Sequence, residues 1–184
     1  MNGVPGLMVA SLPWYQQLDA LRALRQGVRR ELLVESKKQK AWKRLCQIPA
    51  IGPIRAAVLL AILHTPHRFR TKRPLWKYSG LAIQTCSSAD YRSINGQLQR
   101  SKKNSVRGLN QNCNHDLKNL FKGAAVVASS KPGPFQEFYA ALLTKGMRPE
   151  MARLTLARKI ATIVLIVWKK GVSFDAQHLK PQTA

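Results

Sequence analysis

From Trp14 to Cys46 apolar side chains recur at Trp14, Leu18, Leu21, Val28, Leu32 and Trp42, near the heptad spacing that keeps one helix face repeating. Arg25, Glu35 and Gln39 take intervening seam positions, and Gly27 is the only Gly or Pro in the stretch. The pattern predicts one long helix over residues 14–46 with an imperfect coiled-coil stripe. Such a stripe serves equally to dock the helix on its own domain or to pair it with a partner helix or a second copy. Residues 1–13 carry no period and read as a disordered start.

A different pattern follows in LCQIPAIGPIRAAVLLAIL, Leu45 to Leu63. It has the form of a helix-hairpin-helix: a short helix, a tight turn built on Gly52, and a second helix with small Ala56 where the two backbones approach. Gly52 permits the sharp turn and leaves N–H groups open at the next helix start, where they and the helix dipole can hold a phosphate. Pro53 suits the first helical turn, in which its missing donor is not needed. Ala50 stands where the motif commonly has a first glycine. Phosphate binding and plain packing are both open to this hairpin.

The next segment, HTPHRFRTKRPLWKYSGL from His64 to Leu81, interleaves Arg68, Arg70, Lys72, Arg73 and Lys77 with Phe69, Trp76 and Tyr78. The cations suit backbone phosphates, and the aromatics are expected as core anchors rather than as platforms for unpaired bases. His64 and His67 have no carboxylate or Cys near them in sequence, so they read as surface or phosphate contacts and not as metal ligands. From Ala82 to Gly108 the helical period stops. Asn95-Gly96 there predicts a β-hairpin, because both residues tolerate positive φ. Ser87 and Ser88, ahead of it, read on composition as turn residues, with no His or Asp spacing that marks a hydrolase triad.

Helices return after Gly108. Asn110, Asn112 and Asn114 offer N-cap oxygens for a helix carrying Leu117, Leu120, Phe121, Ala124 and Ala128. Lys131-Pro132-Gly133-Pro134 breaks the chain, PFQEFYAALLTKG reads as a short helix closed by Gly146, and Pro149 opens a last helix that ends at Gly171. Met151, Leu154, Ile160, Val164 and Val167 form its expected core stripe. The expectation is a mainly α fold: a long coiled-coil-like helix, a helix-hairpin-helix core, a small β-hairpin insertion near 82–108, and C-terminal helices. The main domain would span 47–172, with a flexible tail over 173–184.

Charge changes the picture from fold to partner. The 184 residues hold 31 Lys+Arg against 8 Asp+Glu, a formal charge of +23, while 45% apolar content excludes a disordered basic tail. No acid lies between Glu35 and Asp90, an interval that contains eleven cations. One-signed excess repels itself unless a polyanion neutralises it, and nucleic acid fits best because neutralised phosphates release counterions. An acidic lipid surface fits less well, since the cations do not follow one face of a single amphipathic helix. The apolar run Ala161–Trp168 is far shorter than the ~20 residues a membrane span needs. Cys46, Cys86 and Cys113 form no CxxC pair, and no signal-like start is seen, so a reducing cytoplasm is expected.

Taken in order, IPAIGPIRAAVLLA, HRFRTKRPLWKYSGLA, SSADY, RGLNQNCNHDLKNLFKGAA and PFQEFYAALLTKGMRPEMARLTLARKIATIVLIVWKKG are specific in combination. The chain resembles the C-terminal domain of the DEDD-type bacterial insertion-sequence transposases with a RuvC-like N-terminal half, a family of RNA-guided serine recombinases. The resemblance runs from about Tyr15 to the C-terminus. Family members begin with a RuvC-like domain whose four acidic residues bind divalent metal. This chain has neither that tetrad nor its βαβ pattern, so the resemblance implies a truncated copy, with no cofactor of its own and metal expected only in the RuvC-like half.

The resemblance further implies a serine nucleophile after the YxGL element, which by motif position is Ser88, with Ser87 second; Ala89 stands where glycine is frequent. It implies DNA and guide RNA as partners, a homodimer or higher assembly through the long helix, and a bacterial cytoplasmic location. The reaction would be phosphoryl transfer by covalent catalysis, with Arg92, Arg100, Lys102, Lys103 and Arg107 near enough in sequence to stabilise the charge. Further nucleic-acid contacts are expected at Gly52, Arg55, Arg68, Arg70, Lys72, Arg73 and Lys77. A RuvC-like half placed across a dimer would complete the site, so this chain alone is expected to cleave poorly. The alternative is a nucleic-acid-binding remnant without catalysis, and charge by itself also allows a basic RNA-binding or ribosomal-type module.

Overall fold

A computed structural model describes residues 6–86, 91–100 and 105–179, with side chains described over 13–84, 95–98, 108–177 and 179. Its helices are α1 (Gly6–Lys37), α2 (Lys40–Leu45), α3 (Pro53–Leu63), α4 (Lys72–Tyr78), α5 (His115–Ser130), α6 (Pro134–Thr144) and α7 (Pro149–Lys170). Four strands interrupt them: β1 (Ile83–Cys86), β2 (Tyr91–Ile94), β3 (Gln97–Arg100) and β4 (Ser105–Leu109). The fold is therefore mainly α with a small β insertion, as the periodicity predicted.

The core forms where α7 crosses α5, with α2, α4 and α6 also packed on α7. Leu117, Leu120, Phe121, Ala124 and Ala128 repeat on one face of α5 and are buried. On α7, Ile160, Val164 and Val167 are fully buried, joined by Ala157, Ala161 and Ile163. The small residues let the two backbones approach closely while the large ones interlock. Met151, expected in this stripe, is instead 46% exposed, while Ala152 beside it in the first turn of α7 is fully buried. Gly171, at φ 64°, ends the helix in the left-handed conformation, with the Arg44 guanidinium beside it.

The long helix differs from its expected limits of 14–46. α1 begins at Gly6 and ends at Lys37; Gln39 is extended, and Trp42 belongs to the separate α2. Its last turns pack on α3 and α2, leaving Ser36 buried and Leu32 half-buried. Trp14, Leu18, Leu21 and Val28 stay exposed. The heptad stripe thus breaks at residues 38–39, and Trp42 packs against the core, where its indole N–H has no partner.

In the insertion, β2 and β3 pair antiparallel with Ile94 opposite Gln97, so Asn95 (φ 53°) and Gly96 (φ 77°) form the expected two-residue turn. β1 and β4 also pair antiparallel, Ile83 opposite Leu109 and Thr85 opposite Val106. Arg107 and Gly108 therefore face Gln84 alone, a bulge that Gly108 accommodates at φ 90°. The tail read as flexible is docked in part. Phe174 lies 5.7 Å from the Phe135 ring, and Leu179 is buried in a short 3-10 turn, Ala176–Leu179. Both side chains join the main hydrophobic core, and the 3-10 turn packs on α6.

Candidate nucleic-acid interface

The turn before α3 was expected to pivot on Gly52, but the left-handed residue is Ala50, at φ 70°. Gly52 is extended (φ −75°, ψ 173°) and serves as N-cap of α3, with Pro53 next, and no atom lies within 4 Å of where its Cβ would be. A left-handed alanine costs about 1 kcal/mol. The offset comes from Arg55, whose Nη1 donates to the Ala50 carbonyl at 2.8 Å. That guanidinium also reaches α5, with Nη2 3.5 Å from the point where Gly123 would carry a Cβ. Arg55 is thus half-buried and braces the turn. Arg25, which the sequence offered only as a seam position, and Arg29 of α1 line a groove with Gly52 and Arg55. Only the tertiary packing of α1 on α3 brings them there.

The strip from His64 to Leu81 is laid out differently. Phe69 is buried, and Trp76 and Tyr78 pack half-buried against the core, as expected of anchors. Arg68, Arg70, Lys72, Arg73 and Lys77 are exposed. Arg68 stacks over Tyr78 at 4.6 Å and over Phe69 at 5.7 Å, and Lys72 lies 5.7 Å above the Trp76 ring. The backbone beneath them is pinned from α7: Lys169 Nζ donates to the Phe69 carbonyl at 2.7 Å and the Arg70 carbonyl at 3.2 Å. Lys169 thereby holds the strip, leaving its arginines outward. His64 and His67 are exposed, and among the described residues no three His, Cys, Asp or Glu side chains group as a metal site.

Where the strip meets the β insertion, a buried amide ties three elements together. Asn110 Nδ2 donates to the carbonyls of Lys77 (3.1 Å) and Asn112 (2.9 Å), while its Oδ1 accepts from the Asn112 N–H at 3.2 Å. Its own N–H donates to the Ala82 carbonyl at 3.0 Å. Of the three asparagines expected to cap α5, Asn114 does so, accepting from the Leu117 N–H at 2.9 Å. Gly80, at φ 65°, closes α4; a Cβ there would sit 2.4 Å from Cys113 Sγ. Such a residue must be glycine.

The remaining expected site residues divide by where they fall. Ser88, Ser87, Lys102 and Lys103 lie outside the described residues. Arg92, Arg100 and Arg107 are placed on β2, β3 and β4 by their backbones, Arg92 opposite Gln99 and Arg100 opposite Tyr91. No described helix is long and apolar enough to cross a membrane. A family model described as Transposase IS116/IS110/IS902 family matches residues 42–140, from the start of α2 through most of α6. No curated protein matches the chain.

Proposed function

Because the chain belongs to the Transposase IS116/IS110/IS902 family, we propose that it grips DNA phosphates with the 64–81 strip and joins a strand to itself through Ser88. The family assignment makes DNA transposition the setting. The observation that carries the reading is the strip itself: five exposed cations on a backbone held to the core, in a chain interval with no acid from Glu35 to Asp90. Arg25 and Arg29, beside the N-terminus of α3, offer a second place for the same strand.

In the proposed step the Ser88 hydroxyl attacks the scissile phosphorus. The serine hydroxyl gives up its proton as an Oγ–P bond forms, the bond to the leaving strand's oxygen breaks, and that oxygen takes up a proton in exchange. Cations close to Ser88 in sequence stabilise the charge spread over the non-bridging oxygens. Reversal by a hydroxyl end of another strand exchanges strands without hydrolysis. A guide RNA would occupy the same kind of phosphate-binding surface, and the exposed stripe of Trp14, Leu18, Leu21 and Val28 would pair α1 with a second copy.

The test is covalent capture combined with a salt titration. The expected result is salt-sensitive DNA binding by both wild type and Ser88→Ala. With a full-length relative present, a denaturant-resistant adduct should form only with the wild-type serine. Binding without any adduct would assign the chain a non-catalytic role. An adduct retained in Ser88→Ala would refute Ser88 as nucleophile.

A further inference from the structure

At the junction of α4, β1 and α7 lies a solvent-open concavity of about 560 Å³, lined by Arg73, Pro74, Trp76, Lys77, Ala82, Ile83 and Arg158. Its polar groups are turned to internal use. The Trp76 indole N–H donates to the Arg158 carbonyl at 3.1 Å, and Arg158 Nε donates to the Leu81 carbonyl at 2.7 Å. What faces the opening is almost all carbon: the indole, Pro74, Ala82 and the half-exposed Ile83. Arg73 and Lys77, one helical turn apart on α4, are exposed members of the lining, and among the described residues no carboxylate lines the site.

An apolar wall with exposed cations matches a group with a flat, weakly polar body and an attached anion. Burial pushes the Arg158 guanidinium below its ordinary value, and burial together with the Lys72 ammonium does the same to the Lys159 amine. Arg73, Lys77 and Arg158 put three cations around one concavity, and a phosphate there would be attracted to them. The volume lies within the ~300–1,000 Å³ of small-ligand sites. A wall without outward donors or acceptors reads the face of a base and not its edge.

We propose that this concavity takes one unpaired nucleotide, its base against Trp76, Pro74 and Ile83 and its phosphate between Arg73 and Lys77. The proposal rests on the nucleic-acid reading above and extends it from duplex phosphates to a displaced or single strand. It places a base-holding pocket at Ile83, the first residue of β1, ahead of Ser88 in sequence. DNA and RNA strands share the chemistry, and the test separates them.

The probes are two hexanucleotides of equal charge, made in DNA and in RNA: one with a single 2-aminopurine among abasic sites, one wholly abasic. Wild type is expected to bind the base-bearing hexamer about tenfold more tightly and to quench its emission on stacking. Ile83→Ala, which removes part of the wall, and Ala82→Phe, which fills the space, should each cut that preference below about twofold while binding the abasic hexamer as wild type does. Preference confined to the DNA or RNA arm identifies the strand. Equal binding of both hexamers by wild type, or a preference untouched in both variants, overturns the pocket and leaves the phosphate-binding reading standing. Failure to bind any hexamer at low salt removes both.

Discussion

The turn at residues 46–55 holds a single cation, Arg55, and the strip at 64–81 holds five, and the fold uses the two sets in opposite ways. At the turn, a left-handed Ala50 exposes a carbonyl inside the molecule, and Arg55 is drawn in to satisfy it. At the strip, the equivalent carbonyls of Phe69 and Arg70 are satisfied from behind by Lys169, and five cations are left facing outward. Whether a cation is scaffold or interface thus depends on which backbone groups lack partners beneath it, since an unpaired buried carbonyl costs about 1–3 kcal/mol.

The largest expected effect is on binding through the strip. Replacing Arg68, Arg70 and Arg73 together by Gln should weaken DNA binding about 100-fold at 0.15 M salt and lower the salt slope by about 2–3. Urea unfolding of the same variant should change little, because the three side chains are exposed. Unchanged affinity would erase the distinction between the two regions. Next comes Gly80→Ala, in which positive φ and the clash with Cys113 Sγ should cost roughly 3 kcal/mol by denaturant unfolding. A loss below about 1 kcal/mol would mean the strip's end repacks freely.

Asn110→Ala should cost about 2–3 kcal/mol, since it removes an amide that donates to two carbonyls and accepts from the Asn112 N–H. Arg55→Ala sharpens the comparison directly. We expect a loss of about 1–2 kcal/mol in stability with a salt slope close to wild type. A slope lowered by a full unit instead would return Arg55 to the interface. The smallest effect is a gain: Ala50→Gly relieves the left-handed alanine and should stabilise by about 0.5–1 kcal/mol, readable as a higher melting temperature.

Local signals were legible wherever one residue's chemistry decided the outcome. Asn95-Gly96 specified its turn, Gly146 and Gly171 ended helices with positive φ, and Asn114 capped α5. The periods of α5 and α7 marked their buried faces, and Phe69 proved to be buried, with Trp76 and Tyr78 half-buried against the core. Legibility failed where a partner from afar was needed. The heptad stripe could not reveal the break at Gln39, Met151 fitted the period of α7 yet is half-exposed, and the polar tail gave no sign of Phe174 docking on Phe135.

By itself the sequence settled the helical class, the hairpin and the one-signed charge of residues 36–89, because propensity, turn conformations and net charge are properties of neighbours along the chain. Tertiary structure alone decided which cations are used internally. Lys169 reaches Phe69 across 100 residues, Arg158 reaches Leu81 across 77, and Trp76 reaches Arg158 across 82. Those pairings depend on which carbonyls the packed helices leave unsatisfied, a quantity that has no value until the helices are packed.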